Sequence, residues 1–446
     1  MVGRRAAAVS LSTHAARVGL AVKEAVHSYP THLITHVHLE HQQAFPSLTH
    51  ERQGHYLLFW WKEIALGHLF IAPDHTLTEE AYWLALATAI APAIQQYASK
   101  QHIGDAPWQL WLVQREAKRW MAWMEVIFST WLPAVVPEQV SVTVIICTRN
   151  RALQLRRCLQ MLHALSCAPA EIVVVDNAPS DTRTQAVVQE FAGVVYIREP
   201  REGLDIARNT GIRAAHCPVV TFVDDDVVVH PMLLYRVWET FQDPTTAAMT
   251  GLIIALSLQT EAQLIFEQCW SFNRGYVDKV YTPGYVRAAT SQVSQVGDIG
   301  AGANMAFRKS IFEEVGYFHE LLDVGAAGCS GDAEIWHRIL LRGHFIRYVP
   351  RAIAYHEHRR DIAGLKRQLY YYMRGHVVAA LIQHKQHPQA DYSRYLYLRL
   401  PKYYAHLIKA GLPFFRFRSQ TLWSELKGIV SGFAFYYWKQ NRMPKL

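Results

Sequence analysis

Three consecutive aspartates, Asp224, Asp225 and Asp226, close the apolar run Val219-Val220-Thr221-Phe222-Val223. A short uncharged run of this kind reads as a buried strand, so its carboxyl end carries three like charges side by side. Adjacent carboxylates repel, and their pKa values rise unless a cation compensates. Two uses fit such a tip. It can hold a hard divalent cation, whose ligands are carboxylate and phosphate oxygens, or it can form an acidic turn that caps the next helix.

The neighbouring segments favour the first use. Between Val140 and about Tyr348 strand-like and helix-like stretches alternate in the βαβ rhythm of an α/β domain. Val142–Ile146 is the first strand, and Leu155, Leu159 and Leu162 mark a helix over Arg151–Leu165. Ile172–Val175 is the second strand and Val194–Ile197 the third. A helix follows from Leu204 to Ala215, and the aspartate-bearing strand comes fourth, with Pro231 near the start of the next helix. In an open parallel sheet, ligands bind beyond the carboxyl ends of the strands. The residues at those ends are Thr148-Arg149-Asn150, Asp176-Asn177 and Asp224 to Asp226, and they are expected to converge on one crevice.

Taken in order, these segments resemble the family 2 glycosyltransferases, inverting enzymes with the GT-A nucleotide-binding fold. The resemblance covers about residues 140–360. It runs through Val144–Arg151, Val173–Asn177, the G-x-x-x-A-R-N-x-G-like stretch Gly203–Gly211, the triplet at the D-x-D position, Gly302–Arg308, and Gly331-Asp332-Ala333-Glu334 with Arg338. It implies an α/β, Rossmann-like nucleotide-diphospho-sugar transferase domain. It also implies that Thr148, Arg149 and Asn150 form the nucleotide loop, that Asp176 accepts from the base, and that Arg208 sets a positive charge near the nucleotide. By the same likeness Asp226 and Asp224 hold Mn2+ or Mg2+, Asp224 also meeting the ribose. His356 joins the metal or diphosphate, with His358 as its competitor. Asp332 is the implied catalytic base, and Asn304 and Glu334 lie on the acceptor side. Here the family more often has Glu-Asp where this chain has Gly331-Asp332. A capping role is the plain alternative for Asp332, because carboxylates are favoured at helix N-termini.

The implied reaction moves a sugar from a nucleoside diphosphate sugar, most commonly UDP-linked, to a glycan or lipid-linked acceptor in polysaccharide or glycolipid assembly. Val220–Val228 also fits the D-x-D-x-[T/V] motif of haloacid-dehalogenase-type phosphotransferases. That strand comes fourth instead of first, however, and Trp336 stands where the later acid is needed. A nucleotidyltransferase, or an inactive scaffold with a membrane-binding tail, are further alternatives.

At 446 residues, 51% hydrophobic and 18% charged, the chain is long and apolar enough for more than one ordered domain. Six scattered cysteines without a C-x-x-C pair fit a reducing interior. No stretch reaches the roughly eighteen uncharged apolar residues that a membrane-spanning helix needs. The start, Met1-Val2-Gly3-Arg4-Arg5, has twin arginines, but His14 and Arg17 interrupt any apolar signal core. A cytoplasmic location follows, with peripheral attachment to the inner face of the cytoplasmic membrane as its variant.

Residues 1–135 read as a separate α+β accessory region. A hairpin is expected around Lys62-Glu63, and His36, His38 and His41 are more readily solvated or core histidines than a metal cluster. The domain proper is expected over 138–360. From Asp361 to Leu446 there are fourteen Lys/Arg against three Asp/Glu, a surplus of eleven that outweighs the whole chain's +8. This basic, aromatic, helical extension suits an anionic membrane surface, and equally an ordinary helical cover for the catalytic domain with its aromatics in the core and its lysines solvated. No nucleic-acid motif appears in it.

Overall fold

The computed structural model describes residues 31–41, 53–73, 75, 77–287, 296–411 and 416–440. The twin arginines Arg4 and Arg5 and the pair Phe414-Phe415 lie outside the described residues.

Two sheets organise the chain. The first is the expected hairpin, β2 (Gly54–Trp61) and β3 (Ile64–Ile71), with β1 (His32–His38) added parallel to β2. Every residue of β2 is buried, because helix α1 (Glu79–Lys100) covers one face and the second sheet approaches the other. Gly67 lets α1 come this close: a Cβ there would sit 2.5 Å from the carbonyl oxygen of Ala89. Pro92 is accommodated inside α1. The same hydrophobic cluster takes in Leu252, Ile254 and Ile353 from the large sheet, so the two sheets share a core.

The large sheet has nine strands: β4 (Gln139–Thr148), β5 (Ala168–Asn177), β6 (Val194–Glu199), β7 (Val219–Phe222), β8 (Val227–Val229), β9 (Thr246–Ala255), β10 (Lys279–Tyr281), β11 (Met305–Arg308) and β12 (Phe345–His356). Its order is β10-β12-β9-β11-β7-β4-β5-β6, with β8 pairing only with β12. Strands β4 to β7 are parallel, their apolar residues buried against helices on both faces, including α2 (Ala152–His163) and α3 (Leu204–Ala214). The sheet is mixed, not wholly parallel. Strand β11 runs antiparallel to both β7 and β9, and β10 forms an antiparallel edge on β12. Short apolar runs carry no sign of direction, which is why the sequence left this undetermined.

Helix α4 (Gly331–Leu341) precedes β12 and carries Asp332 in its first turn. The C-terminal region is helical, with α5 (Ile362–Gln386), α6 (Leu400–Gly411) and α7 (Arg416–Gln440). Helices α5 and α7 approach closely because Gly428 and Gly432 face α5. A Cβ at Gly428 would lie 2.3 Å from the Tyr370 carbonyl oxygen, and one at Gly432 would lie 2.7 Å from Val377. Among the described residues, no helix is long and apolar enough to cross a membrane.

Several histidines are held neutral by this packing. Burial, then Arg236, pushes His230 down to about 4. Burial, then His387 and Arg338, pushes His337 to about 3, and burial alone takes His376 to about 4. An unfolded histidine titrates near 6.5. Below that pH the unfolded chain therefore binds protons that the fold refuses. Stability that is full above pH 6.5 is lost as pH falls toward 4 and then 3. At pH 5 the loss is roughly 2 kcal/mol for each such histidine. Thermal melting followed from pH 7.5 to 5 should show Tm dropping steadily, and His337→Leu should flatten part of the slope. A Tm that holds constant over this range would contradict the assignment.

Candidate active site

The carboxyl ends of β4, β5 and β7 carry the expected polar residues, and local hydrogen bonds decide which of them face the crevice. The middle aspartate of the triplet is committed inward. Asp225 is buried, with Oδ2 accepting from the Thr148 hydroxyl at 2.7 Å and Oδ1 facing Arg151 Nη1 at 2.6 Å. Arg151 Nη2 also reaches Asp226 Oδ2 at 2.8 Å. Anchoring the centre leaves Asp224 and Asp226 on the open side, which explains in this chain why alternate aspartates of the triplet are the available ones. The Thr148 hydroxyl is thereby spent on Asp225. Its expected side-chain contact to the nucleotide is corrected to a positioning role, because the buried hydroxyl has its proton engaged.

The three carboxyls differ electrostatically. Asp224 is pushed up to about 7 by burial and by repulsion from Asp226, with Arg208 opposing. Asp225 rises to about 6 from burial, moderated by Arg151 and the Thr148 hydroxyl. At Asp226 burial also raises the pKa, but the Arg151 guanidinium outweighs it and holds the carboxyl below the usual range. Asp224 is thus an under-compensated carboxylate beside an ionised one, the environment that a divalent cation relieves.

Strand β8 completes this corner. It pairs antiparallel with the end of β12, setting His356 opposite Val227, the residue after the triplet. His356 is pushed down to about 3 by burial and by His358, while Asp226 pulls the other way. It is therefore a neutral imidazole, the form that binds metals. His358 is turned inward, its Nε2 2.9 Å from Glu267 Oε2 and its ring against Phe266, so of the two histidines only His356 neighbours the triplet. The expected set Asp224, Asp226 and His356 does not form a cage by itself. Among the described residues, no three His, Cys, Asp or Glu side chains are grouped closely enough for that. Asp224 and Asp226 alone offer the one or two carboxylates that a Mg2+ site usually takes from protein, with its other ligands drawn from phosphates and water.

The nucleotide-side residues are knit together by loops. Asp176 is fully buried at the tip of β5. Its Oδ2 accepts from the Tyr196 hydroxyl at 3.0 Å, and its Oδ1 has no partner. Burial raises its pKa, with Tyr196 and Thr184 opposing. An orphaned carboxylate oxygen at a strand end is what a ligand's N–H or hydroxyl can satisfy. Asn150 adopts φ 55° and accepts from both the N–H and the hydroxyl of Ser180, joining the loops after β4 and β5. Arg149 is exposed and pairs with Glu202.

Arg208 is not a surface charge beside the nucleotide. It is buried on α3, with Nη1 2.9 Å from Asp205 Oδ1 and 2.7 Å from Asp323 Oδ2, and its guanidinium lies over the rings of Phe318 and Phe222. Its field reaches both Asp224 and Asp332, so one fixed cation is shared by the two sides of the crevice.

Asp332 sits in the first turn of α4, beside the backbone of Gly302. Its Oδ2 accepts the Gly302 N–H at 2.8 Å and its Oδ1 accepts the Ala333 N–H at 2.7 Å. Two backbone N–H groups thus fix the direction of one carboxylate at the start of the helix. Burial and repulsion from Asp323 raise its pKa, against Arg208 and the two N–H groups. Gly331 is dictated by packing, since a Cβ there would fall 2.2 Å from Asp205 Oδ2. No glutamate can stand at that position while Asp205 fills the space.

Two acceptor-side expectations are overturned. Asn304 is buried, and its Nδ2 donates to the carbonyls of Leu252 at 3.1 Å and Ala352 at 2.9 Å, tying β9 to β12. Glu334 is fully buried, paired with Arg338 at 2.7 Å and accepting from Gln386 at 2.9 Å. Neither side chain is presented to an acceptor. Asn304→Ala should accordingly act on stability. It strands two buried carbonyls and should lower unfolding free energy by about 2–4 kcal/mol, read by chemical denaturation. An unchanged midpoint would refute this role. Conversely, Arg151, Asp205 and Asp323 were not singled out in the sequence. Arg151 had a signal, its place in the loop after β4, and the Asp205–Arg208 spacing of three on a helix had another. Asp323 had none.

The mixed α/β sheet thus gathers at its strand tips two neighbouring carboxylates, Asp224 and Asp226, and the buried Asp176, with Asp332 at the start of α4. This chain matches, over residues 143–316, the family model described as Glycosyl transferase family 2. It is 28% identical over 232 residues to the pre-mycofactocin glycosyltransferase of Mycobacterium tuberculosis, covering 52% of this chain and 45% of that one. It thus spans about half the length of that curated relative. Glycosyltransferase GlyA of Streptococcus pneumoniae is 35% identical over 89 residues, 19% of this chain and 13% of that one. Among solved structures, the mannosyltransferase PcManGT from Pyrobaculum calidifontis, in complex with GDP-Man and Mn2+, aligns with a TM-score of 0.45 and 19% identity. The alignment covers 81% of this chain and 99% of that one.

Proposed function

We propose that this protein is a metal-dependent inverting glycosyltransferase. It moves a sugar from a nucleoside diphosphate sugar, UDP-linked in the first expectation, to a hydroxyl of a glycan or lipid-linked acceptor. The product would belong to polysaccharide or glycolipid assembly. The observation that carries this reading is an under-compensated carboxylate, Asp224, beside the ionised Asp226, together with a separate carboxylate, Asp332, held by two backbone N–H groups under the field of Arg208.

A bound Mn2+ or Mg2+ supplies positive charge to the departing diphosphate. Asp226 and Asp224 hold that ion, with the neutral His356 beside them. Asp176 offers its unpartnered oxygen to the base, and the loop of Arg149 and Asn150 borders the same pocket. Asp332 takes the proton of the attacking hydroxyl as the new bond to the anomeric carbon forms and the bond to the diphosphate oxygen breaks. Its two backbone N–H bonds fix the carboxylate's direction, and Arg208 favours its ionised form.

The test is nucleoside diphosphate release from a panel of UDP-, GDP-, ADP- and dTDP-linked sugars with Mn2+, Mg2+ or EDTA. Metal-dependent release from one donor is the expected result. If calorimetry with metal present detects no binding of any nucleotide in the panel, the reading fails.

A further inference from the structure

We infer that the outer face of α7, with the neighbouring turn at Tyr397 and Leu398, docks on the surface of an anionic lipid bilayer. One side of this helix is turned inward: Thr421, Glu425, Gly428, Gly432 and Tyr436 are buried. Its other side leaves Trp423 and Val430 each 70% exposed and Tyr437 49% exposed, at successive intervals of seven residues. Lys427 and Ala434 are exposed between them, and Trp438 lies alongside. At 100° per residue these positions fall in one stripe about 100° wide. Tyr397 widens it, stacking on Phe433 and meeting the Tyr437 hydroxyl at 3.3 Å, and Leu398 beside it is exposed as well.

Large exposed aromatics in a row are uncommon on a water-facing helix, and a rimmed apolar patch marks a docking surface. Its charge selects the occupant. Lysines surround the stripe: Lys427 within it, Lys439 over the Trp438 ring, and Lys402 and Lys409 on α6, which is tied to α7 by the Tyr404–Glu425 hydrogen bond. Lys402, Lys409 and Lys427 have no acidic partner among the described residues. The surplus of eleven positive charges in residues 361–446 would repel a second copy of the same face. It attracts phosphate headgroups, while tryptophan and tyrosine rings settle at the boundary between headgroups and acyl chains. Because Lys427 lies on the outer face and Glu425 inside, the helix lies on the bilayer and does not cross it.

Flotation of the full chain with vesicles tests this without reference to turnover. One set is phosphatidylcholine alone, the other phosphatidylcholine mixed with phosphatidylglycerol. Binding is expected on the mixed vesicles only, weakening as salt rises. The doubly substituted Trp423→Glu/Val430→Glu chain, melting as the parent does, should bind at least about tenfold more weakly. Lys402→Ala/Lys409→Ala/Lys427→Ala, which keeps the apolar stripe, should lose affinity for the anionic vesicles by about tenfold or more. Parent-like binding by either variant overturns the inference, as does absence of binding to both vesicle types. A dimer in sedimentation that Trp423→Glu/Val430→Glu dissolves, with no vesicle binding, would assign the face to a second copy instead.

Discussion

Replacing Asp332 by asparagine is expected to reduce sugar transfer to an acceptor by about 10²–10⁴-fold, the usual contribution of a positioned general base. The amide is nearly isosteric. Its carbonyl oxygen can still accept one of the N–H bonds that Gly302 and Ala333 give the carboxylate. Folding and donor binding should therefore survive, and the loss should fall on kcat and not on the donor's KM. The pH profile supplies a second signature. Burial and Asp323 raise the Asp332 pKa, and the base works only when ionised. Parent activity should thus fall on acidification at a pH above the ordinary carboxylate range, and that limb should be missing from the residual rate of the variant. Undiminished transfer by Asp332→Asn would remove it from the chemistry and leave it as a helix cap alone.

Asp226→Ala is expected to abolish the metal-dependent release of nucleoside diphosphate, by about 10²-fold or more. Its consequences for the resting protein should be of the opposite kind. The substitution removes one of the repelling charges that keep the Asp224 pKa near 7, and it leaves Arg151 still paired with Asp225. Stability should be preserved while Mn2+ binding, followed by calorimetry in the presence of a nucleoside diphosphate, disappears. If the variant binds Mn2+ and nucleotide as the parent does, the metal assignment to this corner is wrong.

The comparison of sequence with structure divides by kind of residue. Strands β4 and β5 were plain because both faces of the sheet are covered, so burial leaves an unbroken apolar run followed at once by a polar tip. Strand β8 was hidden, being only three residues long and directly after the triplet. Thr148, Arg208, Asn304 and Glu334 share one property: each is a polar group in a familiar motif whose side chain is buried. A motif records that a polar atom is needed but not which way it turns. Asp323 shows the complementary blindness. It reaches Arg208 across 115 residues of chain from a loop with no regular pattern, and nothing local announces it.

The last helices also pack against the segment that carries Asp332. Arg374 donates to the carbonyl of Ala326 at 2.7 Å, and Gln386 bonds Glu334 in the same turn region as the base. Gly375 is pressed so close to Cys329 that a Cβ would lie 2.4 Å from its carbonyl oxygen. The segment that presents Asp332 is therefore moulded from behind by α5. An α/β body excised after β12 and grafted elsewhere would carry its donor pocket with it but arrive with the base unmounted. A chimera that exchanges this tail must therefore exchange the loop before α4 with it.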